Sequence, residues 1–143
     1  MAIFSIAVRT SGATLNTSAA EILAGSNNAF RLLELGLTIN AATASVFGYG
    51  TPAAAGITPA TLSTVQAEDA GNTTAGNTRV ALTWGTSPTN PTNFLRRVSL
   101  PNTVGSGIVW TFPRGRSVLK TVTDTVQNIV TGSVADVWFV VDE

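Results

Sequence analysis

The chain contains no cysteine and no histidine. Without thiols there is no disulfide, no thiolate nucleophile and no sulfur ligand for a metal. Without imidazole the commonest general base is missing, and so are the usual ligands of zinc, copper and haem sites. A Ser-His-Asp triad is impossible, and a serine–lysine pair would have to use Lys120, the only lysine, which no neighbouring residue positions. Charge is scarce too: 11% of the 143 residues are charged, eight basic against eight acidic, where an average domain has about a quarter. So weakly charged a surface needs either Thr, Ser and Asn to solvate it or neighbouring subunits to cover it. The second reading predicts a homo-oligomer, with a trimer favoured.

Long apolar runs are also missing. The 33 residues between Glu34 and Glu68 carry no charge, but Thr, Ser, Asn, Gly, Pro52 and Pro59 interrupt them, so no stretch of about 20 predominantly apolar residues exists to span a membrane. Met1 to Arg9 lacks the basic start and long apolar centre of a secretory signal. The expectation is a soluble chain of one domain, residues 1–143, long enough to bury a core without metal or disulfide.

What the sequence does have is alternation. From Gly132 to Glu143, Ala135, Val137, Phe139 and Val141 alternate with Asp136, Trp138, Val140 and Asp142, a strand with one fully apolar face. Ending on two acids with no flexible tail, it is expected inside a sheet or at a well-covered edge. Ile3 to Thr10 alternates Phe4, Ile6 and Val8 with Ser5, Ala7 and Arg9 and is expected to pair near it. Ala13 to Thr17 reads as a short strand, Ala19 to Ala24 as one helical turn or another strand, and Gly25 to Asn28 as a turn. In Ala29 to Ile39, Leu33, Leu35, Leu37 and Ile39 fall on one face of a strand, with Phe30, Leu32, Glu34, Gly36 and Thr38 on the other. Apolar content on both faces predicts a central strand or one covered by a partner.

Ala44 to Tyr49 is a further strand. Residues 53–77 form a long loop, with Thr61 to Gln66 as the one short strand in it, a length that points to function or an interface. Arg79 to Gly85 places Val80, Leu82 and Trp84 on one face. Phe94 to Leu100 carries Arg96 and Arg97, and Gly105 to Phe112 groups Ile108, Trp110 and Phe112. Pro113 to Arg116 reads as a turn, followed by two strands at Val118–Asp124 and Val126–Val130. About eight to ten short strands with turns between them and no amphipathic helix predict an antiparallel all-β sandwich, jelly-roll-like.

No catalytic constellation emerges. Glu68–Asp69 and Asp142–Glu143 are sequence neighbours that point opposite ways on extended chain, so neither is an acid/base dyad, and both read as solvated. The Asp-x-Asp spacing of calcium loops is missing at Glu68–Asp69. The glycine pairs at 48/50 and 105/107 open no helix and precede no Gly-Lys-Ser/Thr, so they read as strand-edge turns and not phosphate cradles. Metals, cofactors and enzymatic activity are accordingly not expected. Arg96, Arg97, Arg114, Arg116 and Lys120, interleaved with Phe94, Trp110 and Phe112, have the ingredients of a nucleic-acid platform. In a neutral chain with seven arginines to one lysine they fit fixed hydrogen bonds to carboxylates and carbonyls better, so direct nucleic-acid binding is not expected. Trp138 and Val140, on the face opposite the core, predict a cover, either a neighbouring subunit or the 53–77 loop. The candidate interface residues are Trp138, Phe94, Arg96, Arg97 and Glu34. A third possibility is a carbohydrate-binding module in which Trp84, Trp110, Trp138 or Tyr49 stacks on a sugar ring.

Several segments carry a resemblance: Leu33 to Gly36, Asn40 to Ser45, Gly50 to Pro59, Asn93 to Val98, Trp110 to Gly115 and the ending Ala135 to Glu143. Together they resemble small structural proteins of the virions of tailed bacteriophages. The resemblance implies a compact β-sandwich in the virion, serving as a capsid decoration or cement subunit, often a trimer, whose partner is the major capsid protein or another virion protein. A tail or fibre-associated adaptor is the alternative it implies.

Overall fold

Clean alternation becomes strand wherever the chain has it. The computed structural model describes residues 2–12, 16–25, 29–119, 122–130 and 132–143. Most of the short strand expected at 13–17, most of the turn expected at 25–28, and Lys120 lie outside them. The strands are β1 (Ile3–Arg9), β2 (Thr17–Leu23), β3 (Phe30–Ile39), β4 (Ser45–Gly50), β5 (Ile57–Ala60), β6 (Ser63–Thr64), β7 (Gln66–Ala67), β8 (Arg79–Ala81), β9 (Thr83–Thr86), β10 (Arg96–Leu100), β11 (Gly107–Val118), β12 (Thr123–Val130) and β13 (Ala135–Asp142). The segment 19–24, ambiguous in sequence, is strand.

One sheet has the order β11-β3-β13-β1-β7, the other β10-β4-β12-β2-β8-β6, and β5 and β9 form a separate ribbon. Among the eight longer strands, β1 pairs with β13, β2 with β12, β3 with β11 and β4 with β10, all antiparallel. The chain is thus one long hairpin wound so that successive pairs fall in alternate sheets, which is the jelly roll. The C-terminal strand lies between β1 and β3, as its sequence predicts. Its apolar set Ala135, Val137, Phe139 and Val141 is fully buried. With Leu35, Leu37 and Phe4 it meets Phe47, Tyr49, Val126 and Ile22 of the second sheet in a single core.

Two bulges correct the simple strand patterns. In β3, Glu34 lies opposite Val140 and Leu32 opposite Val141, so Leu33 is an extra residue. The extra residue reverses the parity of those beyond it in β3. Phe30 and Leu32 therefore join Leu35, Leu37 and Ile39 in the core, and the two apolar faces inferred for this strand are one. In β11 the register shifts between Thr111 and Arg116. Gly115 adopts φ 69° there, a left-handed conformation that glycine enters without steric cost. Pro113 to Arg116 is consequently a bulge inside a 12-residue strand, not a turn. That strand extends to Val118, Val122 N–H donates to the Leu119 carbonyl (2.9 Å), and the two strands expected at Val118–Asp124 and Val126–Val130 are one, β12.

The long segment 53–77 is less irregular than its composition suggests. It supplies β5, β6 and β7, and β6 and β7 edge the two sheets. The strand expected at 79–85 breaks at Leu82, so that β8 stays in the second sheet while β9 leaves it to pair with β5.

Candidate functional site

The two sheets dress their outer faces differently. On the second sheet, Glu21, Thr125 and Gln127 point away from the core yet are fully buried, because the chain's own segments lie over them. Trp84 lies on Gly56 and its Nε1–H donates to Glu21 Oε2 (2.5 Å). Gly56 N–H (3.1 Å) and Thr123 Oγ1–H (2.6 Å) donate to Glu21 Oε1. Phe94 packs on Gly48, and Pro91 packs on Gly50.

Among the described residues no such layer covers the first sheet. Cross-strand rows on its outer face run Gly107, Thr38, Asp136 and Arg9, then Val109, Gly36, Trp138 and Ala7, then Thr111, Glu34, Val140 and Ser5. The middle row is apolar, and Val109 is 50% exposed. The Trp138 ring occupies the space that a Cβ on Gly36 would fill, so only glycine admits it there. Its Nε1–H donates to Glu34 Oε1 (2.9 Å), which fixes the indole in the plane of the face. Beside it, Arg9 and Asp136 form a two-pronged ion pair (2.7 and 2.9 Å). The hydrogen bond from Arg9 is the main reason that the Asp136 carboxyl titrates below its usual range.

Of the five candidate interface residues, the structure brings together Trp138 and Glu34 on this face. It places Phe94, Arg96 and Arg97 on the other sheet, at the edge strand β10 and its entry. Trp138 rests on Gly36 and Glu34, and the 53–77 segment, expected as one possible cover, instead forms the sheet edges and the ribbon with β9. Phe94 is absorbed by the fold against Gly48, whereas Arg96 and Arg97 are exposed. Trp110 and Tyr49, two of the aromatics considered for sugar stacking, are core residues.

Two buried carboxylates were not singled out by sequence. Glu21 is held as described. Asp124 accepts from Tyr49 Oη–H (2.6 Å), Thr51 Oγ1–H (2.7 Å) and Arg116 Nε–H (3.2 Å), and Arg116 also donates to Thr51 Oγ1 (2.7 Å). Burial, and then the charge and hydrogen bond of Asp124, push the Tyr49 phenol well above its ordinary value. Their only advance signal is an acid within an apolar strand pattern, at Ala19–Leu23 and Val122–Val126. Both carboxylates are occupied by donors within the fold, so they tie elements together: β2 to the covering segments, and β12 to β4 and the bulge of β11. Glu143 behaves similarly, accepting from Asn77 N–H (2.7 Å) and from Thr78 N–H and Oγ1–H (3.1 and 3.0 Å). It is not the solvated end expected of it. Glu68 and Asp69 are exposed, as expected.

Among the described residues no group of three or more acidic side chains is placed to hold a metal, and no helix is long and apolar enough to cross a membrane. No protein-family model matches the chain, nor does any curated protein or solved structure.

Proposed function

We propose that this protein is a non-catalytic structural component of a tailed-phage particle, a decoration or cement subunit that binds the assembled shell. Its partner is the major capsid protein or another virion protein. The observation that carries this reading is the unequal dressing of the two sheets: one outer face is covered by the chain's own segments, while the other presents Val109, Trp138 and Val140 without a cover. A fixed, partly buried tryptophan within a flat face is the kind of anchor that dominates protein interfaces. The resemblance of six short segments to virion proteins supports the same reading, as does the jelly roll, an architecture common to capsid and lectin domains. A charged fraction of 11% suits a subunit whose surface is largely covered in its assembly.

Counting copies in purified particles by quantitative mass spectrometry tests this. Hundreds of copies on the shell are expected, whereas a dozen or fewer would move the protein to the tail or its fibres. None at all would remove it from the particle. In a binding assay with undecorated shells, Trp138→Ala is expected to weaken attachment by roughly 2 kcal/mol or more while the domain stays folded.

One observation favours a second reading, that of a carbohydrate-binding module. The Trp138 ring lies in an open face with Ser5, Thr38 and Thr111 in the adjoining rows, as a sugar-stacking platform requires. Retention on immobilised oligosaccharides that Trp138→Ala abolishes, together with absence from particles, would establish that reading in place of the first.

A further inference from the structure

The opposite sides of the sandwich carry opposite charge. Strand order puts the edge strands β10 and β11 on one side and β6 and β7 on the other. On the first side Arg96, Arg97 and Arg114 are exposed and form no ion pair among the described residues. Arg96 lies over the Phe112 ring, 5.2 Å from its centre, and donates to the Leu95 carbonyl. Leu95 is itself 42% exposed. On the second side the chain crosses between the sheets at Val65 and continues into Glu68 and Asp69. These line a hollow of about 680 Å³ with Ala2, Ile3 and Asn72, and Ile3 is 47% exposed.

Most other charges are engaged within the fold, in the pairs Arg9–Asp136 and Arg116–Asp124 and in the hydrogen bonds of Glu21, Glu34 and Glu143. Arg31 lies opposite Asp142 in the ladder. Arg79, on β8 beside the edge strand β6, puts one positive charge on the second side and forms no ion pair among the described residues, so the polarity across the chain's width rests on Arg96, Arg97 and Arg114 against Glu68 and Asp69.

The two sides are also close in height. One cross-strand row runs Arg116, Leu32, Val141, Phe4 and Ala67. Arg114, in the bulge before that row, and Glu68, after it and level with Ile3, lie to either side of the row, about one to two rungs apart along the strands. The hydrogen-bonding edges are open as well. Among the described residues no strand pairs with the outer edge of β11; on the other side β7 covers Phe4 and Ser5 of β1, and Glu68 N–H donates to the Ile3 carbonyl (3.0 Å), so the stretch of β1 without a ladder partner there begins at Ile6. Because strands alternate in direction across this sheet, a second copy set beside the first in the same orientation brings its β1 antiparallel to β11.

We propose that the protein self-associates head to tail, the Arg96–Arg97–Arg114 side of one copy seating on the Glu68–Asp69 hollow of a second copy. Such a contact uses two different patches, so it repeats from copy to copy and closes into a ring or runs as a filament. A two-fold dimer through either side would set like charges against each other. This inference stands on the sandwich itself and is independent of the particle reading.

Sedimentation velocity on the full chain tests it. The wild type is expected to sediment as multiples of 14.7 kDa, with association at least about tenfold weaker in about 0.5 M than in about 0.05 M salt. Reversing the basic side (Arg96→Glu, Arg97→Glu, Arg114→Glu) or the acidic side (Glu68→Lys, Asp69→Lys) should each give monomers with unchanged circular dichroism, and mixing the two reversed chains should restore association. Should a reversed chain fail to fold, the neutral versions (Arg→Gln; Glu68→Gln with Asp69→Asn) are expected to be folded and to associate about tenfold more weakly than the wild type. The proposal is overturned by a wild type that stays at 14.7 kDa in low salt up to about 100 μM. It is equally overturned by reversed or neutral chains that assemble like the wild type, or by a mixture that remains monomeric.

Discussion

At the scale of single residues, the small and polar positions carry as much of the design as the large apolar ones. Gly36 exists so that Trp138 can lie flat. Gly36→Ala should displace the ring, break its bond to Glu34, cost about 1–3 kcal/mol through overpacking, and shift tryptophan emission to longer wavelength. An unchanged denaturation midpoint and spectrum would mean that the ring is not seated there. Tyr49 makes a second case. Its phenol, raised well above its ordinary value by burial and Asp124, keeps its proton when folded at pH values where an unfolded chain has lost it. Above the unfolded pKa of about 10 the unfolded state binds fewer protons, so stability is complete below that pH and falls as pH rises toward the folded value. Tyr49→Phe should cost about 1–3 kcal/mol at neutral pH and flatten the alkaline decline, as denaturant melts across the range would show. Sequence revealed neither pairing, because Gly36 and Trp138, like Tyr49 and Asp124, are brought together only by the ladders.

At the scale of elements, the bulge at Leu33 decides what β3 presents. Deleting Leu33 would leave Leu32 directly before Glu34 in unbroken alternation, opposite Val141 and Val140, so Phe30 and Leu32 would keep their places in the core. Circular dichroism of the deletion variant is expected to show a folded chain, and an unfolded one would mean that the ladder needs the extra residue itself. The C-terminal strand offers the opposite comparison. Phe139→Ala should cost about 3–5 kcal/mol through a core cavity, whereas Trp138→Ala should leave the thermal transition of the domain largely in place, a contrast that differential scanning calorimetry reads directly.

Strand identity was legible wherever alternation was unbroken, in β1, β10 and β13, and so was the pairing of the first and last strands. It failed where the ladders shift: the extra residue Leu33 reversed the parity and made one buried face look like two, and Pro113 to Arg116 looked like a turn because the proline and glycine that permit a bulge are also turn residues. Of the candidate site, Trp138 was legible from its acidic neighbours. Its link to Glu34, and the separation of Arg96 and Arg97 onto the other sheet, depend on strand order that no local pattern encodes.

At the scale of the whole molecule, the fold is a hairpin rolled up so that chain-distant strands become neighbours. The innermost pair of that hairpin, β4 with β10, and the outermost, β1 with β13, are hydrogen-bonded with equal regularity. The outermost pair has a mechanical consequence. Ile3 lies opposite Asp142, and Ala2 and Glu143 exchange hydrogen bonds of 3.0 and 3.2 Å between their backbones. Tension applied through residues 2 and 143 therefore pulls at right angles to two antiparallel strands and loads their rungs one after another, as a zip fastener is opened. Tension applied between Gly107 of β11 and Phe30 of β3, at opposite ends of their ladder, loads many rungs in shear at once. Force spectroscopy should find the first geometry weak and the second several times stronger. The same domain is thus compliant along one axis and stiff along another, and where it is tethered decides how much load it can bear.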